Sequence, residues 1–175
     1  MVVLVVGVPD SGKSALAENV ALELSGENKR IYLATMEILD EAGLERVKKH
    51  RKLREGKGFF TIEAPVKAWE AVSGEEDIKD STVLIECISN LVGNVMHDQS
   101  IKDSTVRTVV SDVKKICTAA KNVVIVTNSF AQKDEFDEET KEYIACLDEV
   151  NKELKKAADE VYEFVEGEWQ KRENN

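Results

Sequence analysis

A segment near the start of the chain has the residue types of a phosphate-binding loop. It reads Gly7-Val8-Pro9-Asp10-Ser11-Gly12-Lys13-Ser14 and fits G-x-x-x-x-G-K-[ST] at every required position. Gly7 and Gly12 can adopt backbone angles closed to other residues, so that amide N–H groups can point at phosphate oxygens. Lys13 is expected to reach the β- and γ-phosphates, and the Ser14 hydroxyl is expected to ligate Mg²⁺. The segment predicts nucleoside triphosphate binding.

A basic segment with one histidine is the second candidate for chemistry. Residues 46–54 hold six Lys or Arg residues and His50, in a chain whose net charge is −10. On a helix, Arg46, His50 and Arg54 share one face. Charge runs are usually solvated surface, but this one could also be a second anion site. Crowded positive charge would keep the imidazole neutral, and attack on a nucleotide α-phosphorus would give a covalent phosphoramidate.

Other polar residues are open to more than one interpretation. Glu86 ends an apolar strand, where the acidic Mg²⁺ partner of such a loop commonly lies, although it could instead cap a helix or form an ion pair. Asn94 and Asn128 could equally serve as caps or turn residues. We interpret His97 as structural or exposed, and Trp69 and Trp169 as packing residues.

Composition limits the classes of function. The chain has 175 residues, 42% hydrophobic and 33% charged, and its net charge of −10 disfavours a nucleic acid partner. Its three cysteines form no C-x-x-C pair, which favours reduced thiols in a cytoplasmic protein. The apolar N-terminal run is too short for a signal peptide or a membrane span.

Hydrophobic patterning predicts a single α/β domain over residues 1–175, with a mainly parallel sheet flanked by helices. The polar tail, residues 167–175, is expected to fray. The predicted strands are Val2–Val6, Arg30–Ala34, Phe59–Ile62, Val83–Glu86, Asn122–Thr127 and Val161–Val165. The predicted helices are Ser14–Ser25, Asp40–Arg54, a short one around Val66–Val72, Asn90–His97, Thr105–Ala120 and Glu138–Ala158.

The chain resembles the bifunctional adenosylcobinamide kinase/adenosylcobinamide-phosphate guanylyltransferases from Val2 to about Val165. The loop alone indicates only a superfamily, whereas the His50-Arg51 pair at its distance from the loop is far more specific. Further similar segments are Ile31-Tyr32-Leu33-Ala34-Thr35, Thr61-Ile62-Glu63, Leu84-Ile85-Glu86-Cys87-Ile88 and Val124-Ile125-Val126-Thr127-Asn128.

The resemblance implies a P-loop NTPase fold of the RecA-like type, a trimeric assembly and a reaction in two steps. ATP or GTP phosphorylates the corrinoid adenosylcobinamide, and the product then accepts GMP that GTP has left on a histidine, here His50. Nucleotide contacts carried over by position fall on Thr35, Met36, Glu37, Arg51, Lys52, Leu53, Arg54, Glu63 and Glu86. Mg²⁺ would bind with the nucleotide at Ser14 and Glu86.

The chain departs from the family pattern in three places. The family loop usually begins Gly-Gly-Ala-Arg, so Asp10 puts a negative charge where a positive one is usual. Ser129 stands where the family usually has Glu. Residues 130–139 are rich in acidic residues and lack the usual Gly-rich stretch, in a region that the resemblance places beside the corrinoid.

Two other functions compete with this hypothesis. A small-molecule kinase would use the loop but would never guanylylate itself. A nucleotide-dependent regulatory switch would use hydrolysis to change shape, and we identify no glutamine or arginine finger for it. His50 within its basic segment favours the bifunctional enzyme.

Overall fold

Seven strands and six α-helices alternate along the chain, and a short 3₁₀ helix covers Ile78–Asp80. The computed structural model describes residues 1–101 and 103–174, and the counts refer to these. The strands are β1 (Val2–Gly7), β2 (Arg30–Ala34), β3 (Phe59–Glu63), β4 (Thr82–Glu86), β5 (Asn122–Asn128), β6 (Glu160–Val165) and β7 (Glu168–Glu173). The helices are α1 (Lys13–Ser25), α2 (Glu41–Arg54), α3 (Ala68–Val72), α4 (Ile88–His97), α5 (Thr105–Ala119) and α6 (Glu138–Ala157).

The described strands form one sheet in the order β3-β2-β4-β5-β1-β6-β7. All neighbouring strands are parallel except β6 and β7. Strand β1 lies between β5 and β6, so that Val3 is in register with both Val124 and Glu160. Because carboxyl ends of parallel strands meet at one edge, Gly7, Glu86 and Asn128 come to the same side of the sheet.

Both faces of the sheet are covered, which explains the continuous apolar runs in its strands. Leu4 and Val6 point to a core shared with α3, α4, α5 and α6, whereas Val3 and Val5 point to a smaller core under α1. Helix α6 buries one face, which includes Leu147. The prediction of a mainly parallel α/β sheet is confirmed.

Helix α2 lies outside both cores. Only Gly43 and Arg54 of its fourteen residues are buried. The Asp40 side chain caps its first turn by accepting a hydrogen bond from the Gly43 amide at 2.6 Å. The helix is therefore held mainly at its two ends.

The prediction that residues 167–175 fray is wrong for Glu168–Glu173, which form the edge strand β7. Glu166 and Gly167, with φ of 51° and 85°, make a two-residue hairpin turn that matches the twist of the strands. The Trp169 ring packs against Phe164 in a tilted arrangement at a centroid distance of 5.2 Å, and the Lys171 ammonium lies 2.9 Å from the Glu160 carboxylate. These contacts fix the otherwise polar strand. Asn175 lies outside the described residues.

Candidate active site

The phosphate-binding loop connects β1 to α1 as the motif predicts. Gly12 has a φ of 82°, so a left-handed residue directly precedes the helix. Gly7 differs from the prediction, because it is needed for space and not for a positive φ. A Cβ on Gly7 would lie 2.5 Å from the Ser11 hydroxyl and 3.1 Å from the Trp169 ring. The Lys13 ammonium donates to the Val8 carbonyl at 3.2 Å, across the loop.

Ser14 and Glu86 meet at the head of α1. The Ser14 hydroxyl donates to Glu86 Oε1 at 2.7 Å, and Glu86 Oε2 is buried with no hydrogen-bond partner. Burial raises the pKa of Glu86 to about 7, although the Ser14 hydrogen bond and the Lys13 charge oppose the shift. A hydroxyl and an unpartnered carboxylate oxygen are suitable donors for Mg²⁺. Among residues 1–101 and 103–174, no three His, Cys, Asp or Glu side chains gather as a metal site, so nucleotide and water oxygens would complete the shell.

A cavity of about 420 Å³ joins the loop to α2. One face of α2 lines it with Arg46, His50, Arg51 and Arg54, opposite Lys13. The other basic residues of the helix, including Lys48, lie on its exposed side. The basic segment is thus both a cavity wall and a solvated surface.

The imidazole of His50 is held towards its neutral form. Burial lowers its pKa, and the charges of Arg54, Lys49 and Lys13 add to the shift while Glu18 opposes it. Its Nδ1 atom is buried with no hydrogen-bond partner. A neutral imidazole at the wall of this cavity could act as a nucleophile.

Arg54 connects α2 to the sheet and is only 9% exposed. Its guanidinium lies 3.5 Å from the centre of the Tyr32 ring and donates to the Thr61 hydroxyl at 3.4 Å. Tyr32 was not predicted as a site residue, because a tyrosine in a buried strand has the pattern of an ordinary core residue.

Of the remaining predicted nucleotide contacts, four line the cavity, and the others lie outside its lining. Pro9, Asp10, Met36 and Glu63 line the cavity, and Glu63 lies 3.7 Å from the Arg51 guanidinium.

Thr35 is fully buried, and its hydroxyl donates to the Cys87 carbonyl and accepts from the Cys87 amide, both at 2.7 Å. Glu37 lines a neighbouring cavity. Lys52 and Leu53 are exposed on α2, outside the cavity lining.

Side chains at and beyond the carboxyl ends of β4 and β5, together with one residue of α6, line another part of the cavity. The Asn128 amide donates to the Ser89 hydroxyl at 2.7 Å, and the Tyr143 hydroxyl donates to the Ser89 carbonyl at 3.0 Å. Asn128 Oδ1 is buried without a partner, and Asn90 and Phe130 also line this wall. Of these, only the position of Asn128 after a buried strand gave a sequence signal.

The structure also gives the positions of Asn94, whose role the sequence left open, and of His97, which we interpreted as structural or exposed. The Asn94 amide donates to the carbonyls of Thr35 and Pro65, both at 2.8 Å, so it ties two loops together. The His97 side chain is 64% exposed and lies 3.3 Å from Glu139, in agreement with its interpretation as exposed.

A parallel sheet that presents a phosphate-binding loop, a hydroxyl–carboxylate pair and a cationic wall defines a P-loop nucleotide-binding enzyme. The chain belongs to the cobinamide kinase/cobinamide phosphate guanyltransferase family (CobU), whose sequence profile matches residues 3–171. It is accordingly a cobinamide kinase and guanylyltransferase of cobalamin biosynthesis.

A relative and two solved structures agree with this assignment. The bifunctional adenosylcobalamin biosynthesis protein CobU of Escherichia coli (strain K12) is 26% identical to this chain. The alignment covers 95% of this chain and 97% of the relative. A solved ATPase domain has a TM-score of 0.55 at 12% identity, covering 94% of this chain and 69% of that one. The flagellar accessory protein FlaH from Methanocaldococcus jannaschii has a TM-score of 0.51 at 15% identity, covering 97% of this chain and 75% of that one. The two structures support the fold alone.

In the part of the chain that the structure describes, no helix has the length and apolar character needed to cross a membrane.

Proposed function

We propose that this cavity carries out both reactions, and that GMP transfer passes through a covalent guanylyl group on His50. The substrates would be ATP or GTP for phosphorylation of adenosylcobinamide, and GTP for guanylylation. The observation that carries the proposal is the position of His50, with its lowered pKa, in the same cavity as Lys13 of the phosphate-binding loop. A kinase alone would not need this histidine.

Guanylyl transfer then proceeds in two displacements. Because Nδ1 of His50 is buried, Nε2 is the nitrogen whose lone pair attacks the α-phosphorus of GTP. The bond from that phosphorus to the bridging oxygen breaks, and pyrophosphate leaves with the electron pair. Arg51 and Arg54 would hold the leaving pyrophosphate, since one guanidinium group can donate hydrogen bonds to two phosphate oxygens at once. A phosphate oxygen of the phosphorylated acceptor then attacks the same phosphorus and releases the imidazole.

Phosphorylation would depend on the loop. Lys13 would bind the β- and γ-phosphates, while Ser14 and Glu86 would hold Mg²⁺ together with nucleotide and water oxygens. Bound Mg²⁺ would supply charge neutralisation at the transferred phosphoryl group. Met36 and Glu63 are our candidates for further nucleotide contacts, because both line the cavity.

We further propose that the enzyme works in the cytoplasm, where ATP and GTP are supplied, as a homotrimer. The location agrees with free thiols at Cys87, Cys117 and Cys146. Light scattering of the purified protein would test the trimer.

Labelling with α-³²P GTP tests the covalent step. We expect the wild-type protein to take up an acid-labile, base-stable label, and His50→Ala to lose both the label and GMP transfer. Phosphorylation of adenosylcobinamide, followed with γ-labelled nucleotide, should remain within a fewfold of wild type. His97→Ala is the matched control, because its exposed imidazole lies outside the cavity lining and should leave labelling intact.

The alternatives predict different results in the same experiment. A kinase without guanylyltransferase activity would phosphorylate the acceptor but take up no label. A regulatory switch would hydrolyse nucleotide and modify neither the protein nor the acceptor. Persistent labelling of His50→Ala would place the nucleophile elsewhere.

A further inference from the structure

A second cavity, of about 650 Å³, lies beside the nucleotide cavity. Its walls are one face of α4 and the segments around Glu37–Leu39 and Pro65–Val66. The nucleotide contacts that we propose for Lys13, His50 and Glu63 lie outside this space, which we call the α4 groove.

The α4 groove is continuous with the nucleotide cavity. Ser89, Asn90 and Tyr143 line both spaces, so the two share a wall. Hydrogen bonds from Asn128 and Tyr143 fix Ser89 in this wall, at 2.7 Å and 3.0 Å. The buried, unpartnered Asn128 Oδ1 lies at the same junction and can accept a hydrogen bond from a bound group. A molecule in the groove could therefore extend a polar arm towards the phosphates.

A glycine keeps the α4 groove open. Helix α4 buries Ile88, Leu91, Val92 and Val95 in the core, whereas Gly93 lies on the face towards the groove. A glycine in a helix interior makes the helix less stable than alanine would. A Cβ at Gly93 would lie 3.6 Å from the Tyr143 ring, an ordinary contact distance. The helix has room for alanine there, whereas a larger side chain would fill the groove.

The chemistry of the rim suits an amide-bearing substrate. The carboxylates of Glu37 and Asp98 line the groove beside the apolar side chains of Leu39 and Val66. Leu39 is 83% exposed, so an apolar surface stands uncovered at the entrance. Carboxylates accept hydrogen bonds from amide N–H groups, and apolar side chains pack against a macrocycle.

We propose that the α4 groove binds the amide-fringed edge of the corrinoid acceptor and directs its hydroxyl arm past Ser89, Asn90 and Tyr143 to the nucleotide. This assignment rests on the proposed function for the identity of the acceptor. It also gives Glu37 a role at the acceptor in place of the nucleotide contact that the family resemblance implied.

Filling the groove tests the proposal. Gly93→Leu should raise the KM for adenosylcobinamide in the kinase reaction at least tenfold. Labelling by α-³²P GTP without acceptor should stay within twofold, because that step needs only the nucleotide cavity. Gly74→Leu is the matched control, since a Cβ at Gly74 meets no atom within 4 Å and the site lies outside both cavity linings.

A second variant covers the case in which Gly93→Leu does not fold. Leu39→Glu changes a side chain that is 83% exposed, so the fold should tolerate it, and it should also raise the KM for adenosylcobinamide severalfold. Unchanged KM values in the folded variants would overturn the proposal. An equal loss of nucleotide labelling would also overturn it, because the groove would then belong to the nucleotide. If wild-type protein takes up no label, the covalent step fails while the KM comparison still decides the groove.

Discussion

At the scale of single residues, our proposal assigns phosphate binding and nucleophilic attack to two different side chains. Lys13 comes from the phosphate-binding loop and His50 from α2, and both line one cavity. Lys13 is the simpler case, because in the proposed kinase step its charge would act directly on the phosphates.

Lys13→Ala should reduce the rate of adenosylcobinamide phosphorylation by at least ~10²-fold. The reason is the loss of a charge-assisted contact that strengthens as charge develops on the transferred group. Steady-state kinetics with γ-labelled ATP would measure the loss. Near-normal phosphorylation by this variant would contradict the assignment of the loop.

The lowered pKa of His50 predicts a pH profile for labelling. The labelling rate should fall as the imidazole becomes protonated, with a midpoint below the ordinary histidine value of about 6.5. Lys49→Met removes one of the cations that lower this pKa, so the midpoint should move to higher pH. Rates of α-³²P GTP labelling between about pH 5 and pH 8 would test this. A midpoint at or above that of free histidine would contradict the burial argument.

Much of the residue-level site followed from sequence. The loop motif predicted a phosphate-binding loop, and the spacing of Arg46, His50 and Arg54 predicted one basic helix face, because both depend on local geometry. Tyr32 and Ser89 did not follow, since their roles come from chain segments brought together by the sheet.

At the scale of elements, α2 is held by few contacts besides those of Arg54. The turn that follows it carries Lys57, whose ammonium lies 2.5 Å from the Glu18 carboxylate of α1. Glu18 is 1% exposed, and its other oxygen is buried without a partner. This ion pair connects the α2–β3 turn to the helix that follows the phosphate-binding loop.

Lys57→Ala should lower the free energy of unfolding by about 3 kcal/mol, because it leaves a buried carboxylate without its counter-ion. Urea unfolding would measure the change. Lys48→Ala is the control: it breaks a pair with Glu45 whose side chains are 59% and 71% exposed, which should cost less than about 1 kcal/mol. Equal effects of the two substitutions would show that the burial of Glu18 has no energetic consequence.

Periodicity predicted the elements that bury an apolar face. Helix α5 and strand β2 match their predicted spans closely for this reason. Strand β7 was missed because Glu168–Glu173 contains one large apolar side chain, and its pairing depends on the turn before it. The Glu166-Gly167 pair was the available signal.

At the scale of the whole molecule, the sheet determines which distant segments meet at the site. Glu86 is the last residue of β4, and Ser14 lies in the first turn of α1, which follows β1. A hydrogen bond of 2.7 Å joins their side chains, because β4 and β1 lie on either side of β5 in the sheet. Alternation of strands and helices predicts a parallel sheet but does not give this strand order. The last strand, β7, also reaches the site, through Trp169 against Gly7.

Trp169→Ala should therefore affect both stability and nucleotide binding. Loss of its packing should cost about 2 kcal/mol, and GTP affinity should fall because the loop loses its support at Gly7. Trp69→Ala is the matched control, since that tryptophan is also partly buried but packs against the core on the other face of the sheet. If both variants bind GTP equally well, β7 does not support the loop.

The central position of β1 has a consequence for how the protein is made. Val2 pairs with Val123, and its amide donates to the Asp159 carboxylate at 2.7 Å, so β1 needs partners that are synthesised long after it. At about 5–20 residues per second, that delay lasts several seconds or more. During it, five apolar residues and an unformed phosphate-binding loop have no sheet to join. The phosphate-binding loop can therefore take its place in the sheet only after β5 has been synthesised, and we expect a chain interrupted before residue 122 not to bind the nucleotide.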